Sequence, residues 1–311
     1  MSRLTLALLI LCASTAAHAA LDGRRLHFAD GRLRDQRGRE VTLRGVNARV
    51  QGIFDDTFTD GRLPLEPLPV FDAGDADAMR SFGFNLLRLP ISWSGLEPTP
   101  GVYDRSYLDR IAAVVDACAR RGILVIVDFH QDAFSKEIGQ DGAPRWVLDL
   151  LLGPNGYPYL GGPLTDLGAR RLAPWTIQAF RQFDANADGV QDLFAQAVVV
   201  VAKRFRRSRA VVGYEIMNEP LVTPDASGEA QLLALHVRVA KAIRRVDRRH
   251  LVFFEPNSLR NLFDKAPIPS APFPVRGAVY APHVYTYVFD GKTFTGDTSA
   301  LVASMQSAAD E

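Results

Sequence analysis

The chain has 311 residues, of which 47% are hydrophobic and 23% charged, a globular balance that excludes a disordered or fibrous chain. Its 36 Lys plus Arg against 35 Asp plus Glu leave a net charge of +1. No global field therefore draws it to nucleic acid or to an anionic membrane, and a neutral or zwitterionic partner is expected.

The first residues read as an export signal. Arg3 supplies a positive start, Leu4 to Cys12 an apolar stretch, and Ala17-His18-Ala19 a small-residue cleavage site. Residues 1–19 are thus expected to be a signal peptide, and the protein to be secreted or periplasmic. A membrane anchor is the weaker reading, because the apolar run falls far short of the roughly 20 residues that a bilayer needs. No integral membrane segment is expected after cleavage. A lipid anchor at Cys12 is disfavoured by bulky Leu11 before it. Removal of the leader leaves Cys118 without a partner, so core packing rather than a disulfide must hold the fold.

Six short apolar runs follow, each compatible with a strand: Thr42 to Gly45, Asn85 to Leu89, Ile123 to Phe129, Val211 to Met217, Leu251 to Phe254 and Ala278 to Ala281. Helical spacing separates them. Leu108, Ile111, Val115 and Cys118 share one face before Gly122, Phe194 to Phe205 repeats the pattern, and Glu229 to Arg245 and Thr298 to Ala309 supply two more helices. Alternating strand and helix predicts a parallel α/β fold. The strand ends carry Asn47, Trp93, His130, Glu219, Glu255 and His283 while the strand starts carry nothing comparable, as in a (β/α)₈ TIM barrel, whose site lies at the carboxyl ends. A doubly wound open sheet is the alternative, against which stands the absence of a Gly-rich phosphate loop. Eight strands close a barrel, so the expected fold is incomplete, with about six βα units in a catalytic domain over 20–311. The other possibility hides two strands in the loops Ala48 to Ala73 and Asp132 to Asp188, which are rich in Gly, Pro and Asp. The arm before Arg44, with Phe28 and its DGR and DQRG turns, suggests a small hairpin closing the barrel floor.

The segment Val211 to Pro220, VVGYEIMNEP, reads as a buried strand ending in a polar pair. Alternation puts Glu215, Met217 and Glu219 on one face, with Glu219 at the mouth. A partly desolvated carboxyl there has a raised pKa and can donate a proton to a leaving oxygen. An ion-paired or helix-capping Glu is the bland alternative, and company decides between them. NEP at Asn218-Glu219-Pro220, Arg88 in LLRLPISW, His130 in VDFHQD, and His283 with Tyr285 in APHVY together resemble family 5 of the glycoside hydrolases. DFHQD with DGAPRW a few residues on, then YEIMNEP and FFEPN, look most like its endoglycoceramidase-related branch, which releases whole glycans from ceramide.

That resemblance implies a retaining hydrolase of O-glycosidic β-bonds with a glycan or glycolipid substrate and no cofactor. It implies Glu219 as the general acid/base. Arg88 and Asn218 would hold the nucleophile's environment and a sugar hydroxyl, and His130, His283 and Tyr285 would shape the subsite at the cleavage point. Asp132, Trp146 and Glu255 complete the expected substrate-binding set, with orientation of a neighbour as the other role open to Glu255. A buried ion pair with Glu215 is the alternative role for Arg88. The nucleophile belongs on a Glu at the end of a seventh strand, and no residue matches it, so the chain as given is expected to be C-terminally truncated and inactive. Glu255 could be proposed as a substitute, but strands four and five approach the sugar from one side, and retention wants flanking carboxyls. Rival readings are a β-glucanase or β-mannanase on the same scaffold, and a carbohydrate-binding pseudoenzyme.

Of the three Trp residues, Trp93, Trp146 and Trp175, Trp146 is the best candidate to stack on a sugar, with core packing the alternative for each. The apolar run Trp146 to Leu152 could meet an acyl chain in transient contact with a lipid surface, although helical spacing explains it as rim packing. Asp184, Asn186, Asp188 and Gly189 imitate a calcium loop whose twelfth position is Ala195 rather than Glu, so calcium is not expected. The His residues lack zinc spacing, and no metal is expected.

Overall fold

The computed structural model describes residues 21–54, 67–139, 141–157, 167–263, 273–285 and 296–311. The expected leader over 1–19 and parts of both long loops lie outside these residues. Chain entry is a tight hairpin of β1 (His27–Ala29) and β2 (Arg32–Arg34), paired antiparallel. Asp30 at φ +52° and Gly31 at φ +70° make its turn, the left-handed pair that matches strand twist.

Six parallel strands follow: β3 (Gly45–Asn47), β4 (Leu86–Ile91), β5 (Leu124–Phe129), β6 (Val211–Glu215), β7 (Leu251–Phe254) and β8 (Ala278–Tyr280). Helix α1 (Ala73–Ser81) joins β3 to β4, and α2 (Trp93–Leu96) with α3 (Arg105–Ala119) joins β4 to β5. The long connection from β5 to β6 holds α4 (Arg145–Leu152), α5 (Leu167–Arg171), α6 (Pro174–Asp184) and α7 (Val190–Phe205). The remaining helices are α8 (Ala226–Val246), α9 (Arg260–Phe263) and α10 (Ser299–Asp310). Strand order in the sheet equals chain order, β3 to β8. A doubly wound sheet reverses direction at a switch point; this one does not, and it is the wall of an incomplete (β/α)₈ barrel.

Alternation along the strands sorts two clusters. Leu87, Leu89, Ile91, Val125, Val127 and Val252 join the helical faces of Ile111, Val115, Phe194, Val198, Leu235 and Val239 in the main core. The opposite face contributes Leu124, Ile126, Val212, Leu251 and Phe253, which close on Leu26 from the N-terminal arm. The arm is also fixed by a bond from Gly23 N–H to Arg209 O, 2.8 Å. Only glycine permits that approach, because a Cβ at residue 23 would lie 2.0 Å from Val211 O. The arm thus closes the amino end of the strands as expected, through Leu26 and Leu33; Phe28 is 49% exposed and takes no part. Leu26→Ala should lower stability by about 2–4 kcal/mol, since the floor cannot collapse onto the gap; a urea midpoint within error of wild type would contradict that role.

Several strand boundaries shift by one to three residues from expectation, and two of the shifts have a side-chain cause or a consequence for the site. The first strand begins at Gly45 rather than Thr42, because the Asn85 side chain takes up Thr42 O and Arg44 N–H, both at 2.8 Å. β6 stops at Glu215, and Ile216 and Met217 both enter the helical core. Met217 therefore does not share a face with Glu215, and strand alternation does not deliver Glu219 to the mouth. Among the described residues no helix is long and apolar enough to cross a membrane.

Candidate active site

Inward-facing side chains from successive strands converge at the carboxyl end. Arg88 on β4 is their hub. Its Nε donates to Glu215 Oε2 at 2.6 Å, and its Nη2 lies 3.0 Å from Asp128 Oδ2, 3.0 Å from Asn218 Oδ1 and 3.3 Å from Glu255 Oε1. One guanidinium faces three buried carboxyls. Burial pushes Glu215 up to about 8, aided by Asp128 and Glu255 and only partly opposed by Arg88. Asp128 is buried too, but Arg88 and His130 hold its carboxyl below the usual range. The pairing of Arg88 with Glu215, one of the two expected roles, is present, and it forms part of a wider network.

Glu219 reaches this network through backbone, not pleat. It adopts φ +44°, which costs a side-chain-bearing residue about 1–2 kcal/mol. Hydrogen bonds offset the strain. Gln131 Nε2 donates to the carbonyls of Asn218 (2.6 Å) and Glu219 (2.9 Å), Asn218 Nδ2 donates to Gln131 O (2.9 Å), and Glu219 N–H donates to Glu255 Oε2 (3.0 Å). The carboxyl is then gripped from two sides, by His283 Nδ1 at 2.8 Å on Oε1 and by Arg171 Nη1 at 2.8 Å on Oε2. Arg171 Nη2 also donates to the Glu219 carbonyl at 2.7 Å.

These contacts correct the expected protonation. Burial pushes the Glu219 carboxyl up, but the His283 hydrogen bond, the charges of Arg171 and His283, and the Tyr285 hydroxyl outweigh it and hold the group at about 2. His283 rises correspondingly to about 10: burial opposes its charge, but Glu255 and Glu219 prevail. In this state residue 219 is a carboxylate beside an imidazolium, not a neutral acid. Because its folded pKa lies below the ordinary carboxylate value, its ionisation stabilises the fold above about pH 4.5, and that contribution is lost as pH falls towards 2. Arg171→Ala should therefore move the midpoint of acid unfolding, followed by circular dichroism, upward by a few tenths of a pH unit to about one. An unchanged midpoint would mean that Arg171 contributes no field at Glu219.

The other expected residues fall into place unequally. Tyr285 O–H lies 3.3 Å from His283 Nδ1, inside the cluster. Glu255 is buried and spends its oxygens on Arg88, Glu219 N–H and His283 (3.2 Å), so of its two expected roles it takes the orienting one and has no free face for substrate. Asn218 is likewise buried between Arg88 and Gln131. His130 donates from Nδ1 to Asp128 at 2.6 Å, and its Nε2 points towards Asp132, 3.8 Å away. Trp146 is half-buried, gives its indole N–H to Glu97 O at 2.9 Å and meets Trp93 edge-on. It serves the rim and withholds its N–H from a ligand. The residues missed from the sequence are Asp128, Gln131 and Arg171. The first two stand inside DFHQD, where motif membership was a usable signal. Arg171 stands in the long β5 to β6 connection with nothing to distinguish it from any surface arginine.

At the former calcium candidate, Asn186 and Asp188 take left-handed backbone, and Asn186 Oδ1 accepts from Gln191 N–H at 2.9 Å. The segment is a helix-entry turn.

The family model described as Cellulase (glycosyl hydrolase family 5) matches residues 67–311. This chain belongs to glycosyl hydrolase family 5. It is 32% identical over 277 residues to endoglycoceramidase I of Rhodococcus hoagii (strain 103S), an alignment spanning 83% of this chain and 52% of that protein. Among solved structures, an endogalactoceramidase superposes with a TM-score of 0.77 at 32% identity over 92% of this chain and 65% of that one. The ganglioside GM3 complex of endo-glycoceramidase II from Rhodococcus sp. gives 0.71 at 29% identity over 89% and 64%. The chain spans about half the length of the curated relatives it matches.

Proposed function

We propose that the protein is a retaining β-glycosidase that releases the glycan from glycosphingolipids, with Glu219 as general acid/base. One observation carries the reading: Glu219 is held in a left-handed turn so that its carboxyl faces His283 and Tyr285, at the strand ends of a chain similar over most of its length to an endoglycoceramidase. Retention needs a second, attacking carboxylate about 5–5.5 Å from the first. No described residue takes that part, since Glu215 and Glu255 are committed to Arg88. A negative charge at that distance raises the pKa of its neighbour. A glycoside entering the mouth also takes the place of Arg171 on Oε2. Both changes favour the protonated form that donates to the leaving ceramide oxygen. Once the second carboxylate has taken the sugar as a glycosyl-enzyme and the leaving group has departed, Glu219 takes a proton from a water whose oxygen attacks the anomeric carbon and releases that carboxylate, while His283 holds Oε1.

Residues 1–19 act on this reading as a cleaved leader, and the protein works outside the cytoplasm. Leu150, 40% exposed on α4, and Leu172, 59% exposed just after α5, lie in the connection that leaves the carboxyl end of β5, where they meet the lipid surface that displays the substrate.

The test is hydrolysis of a fluorescent glycosphingolipid by the protein expressed from its complete reading frame. Intact glycan and free ceramide are the expected products, with no sugar released from soluble β-glucan or β-mannan. Hydrolysis of the polysaccharides alone, or saccharide binding without turnover, would overturn the assignment.

A further inference from the structure

We propose that His130, Asp132 and Asp141 form a binding site for a divalent cation of the zinc class at the barrel mouth. Their ligating atoms lie within 4.8 Å of one another, and all three residues are buried. A zinc-class ion with bonds of about 2.0–2.2 Å closes that span with side-chain movements of about half an ångström.

Three independent features favour a cation over a packed acidic cluster. Asp141 is fully buried, with 0% exposure, yet neither of its carboxylate oxygens has a hydrogen-bond donor, and Asp132 Oδ2 has none either. Buried carboxylates without donors are costly, and a metal ion satisfies both residues at once. The imidazole is set for ligation as well. His130 commits Nδ1 to Asp128 at 2.6 Å, which leaves Nε2 facing Asp132 at 3.8 Å. Burial opposes the ring's charge, but Asp128, Asp132 and Asp141 hold it up at about 9, so the ion enters in exchange for the Nε2 proton. Carboxylate, histidine and metal in that order is the usual outer arrangement of zinc centres. Finally, the backbone beside Asp141 is locked: Gly142 N–H donates to Ser92 Oγ at 3.1 Å, and Ser94 N–H donates to Gly142 O at 2.9 Å. The ligand therefore does not depend on a swinging loop.

Charge and chemistry select the ion. Two carboxylates and a neutral imidazole balance a divalent cation, whereas one nitrogen and few oxygens suit zinc better than calcium, which seeks 6–8 oxygen ligands. Arg49 approaches Asp132 from outside at 3.7 Å and leaves Asp141 without a donor. The ion would clip the start and end of the segment from Asp132 to Asp141 and so fix the loop that leads into α4. The ion goes beyond the hydrolase reading, and because it sits on His130 and Asp132, which that reading gives to the substrate, it competes with a glycan for the same place.

The full chain, stripped with EDTA and gel-filtered, is given zinc chloride, and bound metal is measured by plasma mass spectrometry alongside thermal unfolding. The expected result is one zinc per chain and a raised unfolding midpoint for wild type and for His283→Gln. Asp141→Asn, which keeps the shape and removes the charge, should hold less than a tenth of an equivalent and show no zinc-dependent shift. Wild type holding less than a tenth of an equivalent overturns the proposal, as does undiminished zinc in Asp141→Asn. So does loss of zinc in His283→Gln, which would place the ion among Glu215, Glu255 and His283 instead, or uptake of calcium in preference to zinc.

Discussion

Glu219→Gln is expected to slow turnover of a glycosphingolipid by about 10²–10⁴-fold, the usual contribution of a positioned acid/base. The amide keeps the size of the side chain; its oxygen can still accept from Arg171, and its NH2 can face His283 Nδ1 once that ring has lost the proton the carboxylate held there, so folding should survive. What disappears is the transferable proton. A ceramide alkoxide leaves poorly and depends on that proton; an activated aryl group leaves as a stabilised anion and does not. Release of aryl glycosides should therefore fall far less in the step that forms the glycosyl-enzyme. Equal losses for both substrates would show that residue 219 positions the sugar and transfers nothing. The same variant should flatten the acid side of the stability profile, because the carboxylate that titrates near 2 is no longer present.

Arg88→Ala should have the largest effect on stability, about 3–5 kcal/mol by urea denaturation at neutral pH, the range seen when one partner of a buried ion pair is removed. Arg88 is 13% exposed in its side chain and faces Asp128, Glu215 and Glu255. Deleting it strands Glu215 and leaves Asp128 and Glu255 with His130 and His283 as their remaining cationic partners. Part of the loss should be recovered at low pH, where the stranded groups take up protons and shed their charge. Arg88→Lys should recover less than charge alone suggests, because an ammonium cannot reproduce the fork that meets Glu215 through Nε and Asp128, Asn218 and Glu255 through Nη2. A loss under about 1 kcal/mol would mean that the Asp128 carboxylate does not depend on Arg88 for its charge.

Much of this was legible in the residues. Helix α3 shows why: Leu108, Ile111, Val115 and Cys118 recur at helical spacing, and all are buried in the structure. β7 was equally plain, since Leu251 to Phe254 is short, apolar and bounded on both sides. Periodicity failed where side chains, rather than strand pairing, bind the backbone. Asn85 captures the peptide groups around Thr42 and Arg44, and Gln131 holds the left-handed turn at Glu219, neither of which leaves a mark in a hydrophobic pattern. Motifs located the functional residues but not their ionisation. The charge state of Glu219 depends on Arg171, which lies 48 residues away in sequence and carries no local signal. Long-range electrostatics of this kind emerges only when the chain has folded.

The arm that seals the lower end of the strands also settles how the molecule can be held. With Gly23 against the start of β6 and Leu26 beneath the inward-facing side chains, a tether attached ahead of Leu21 emerges on the side opposite Glu219. Immobilised that way on a bead or sensor chip, the protein presents its reactive rim to the bulk phase, free to meet micelles and vesicles too large to slip underneath.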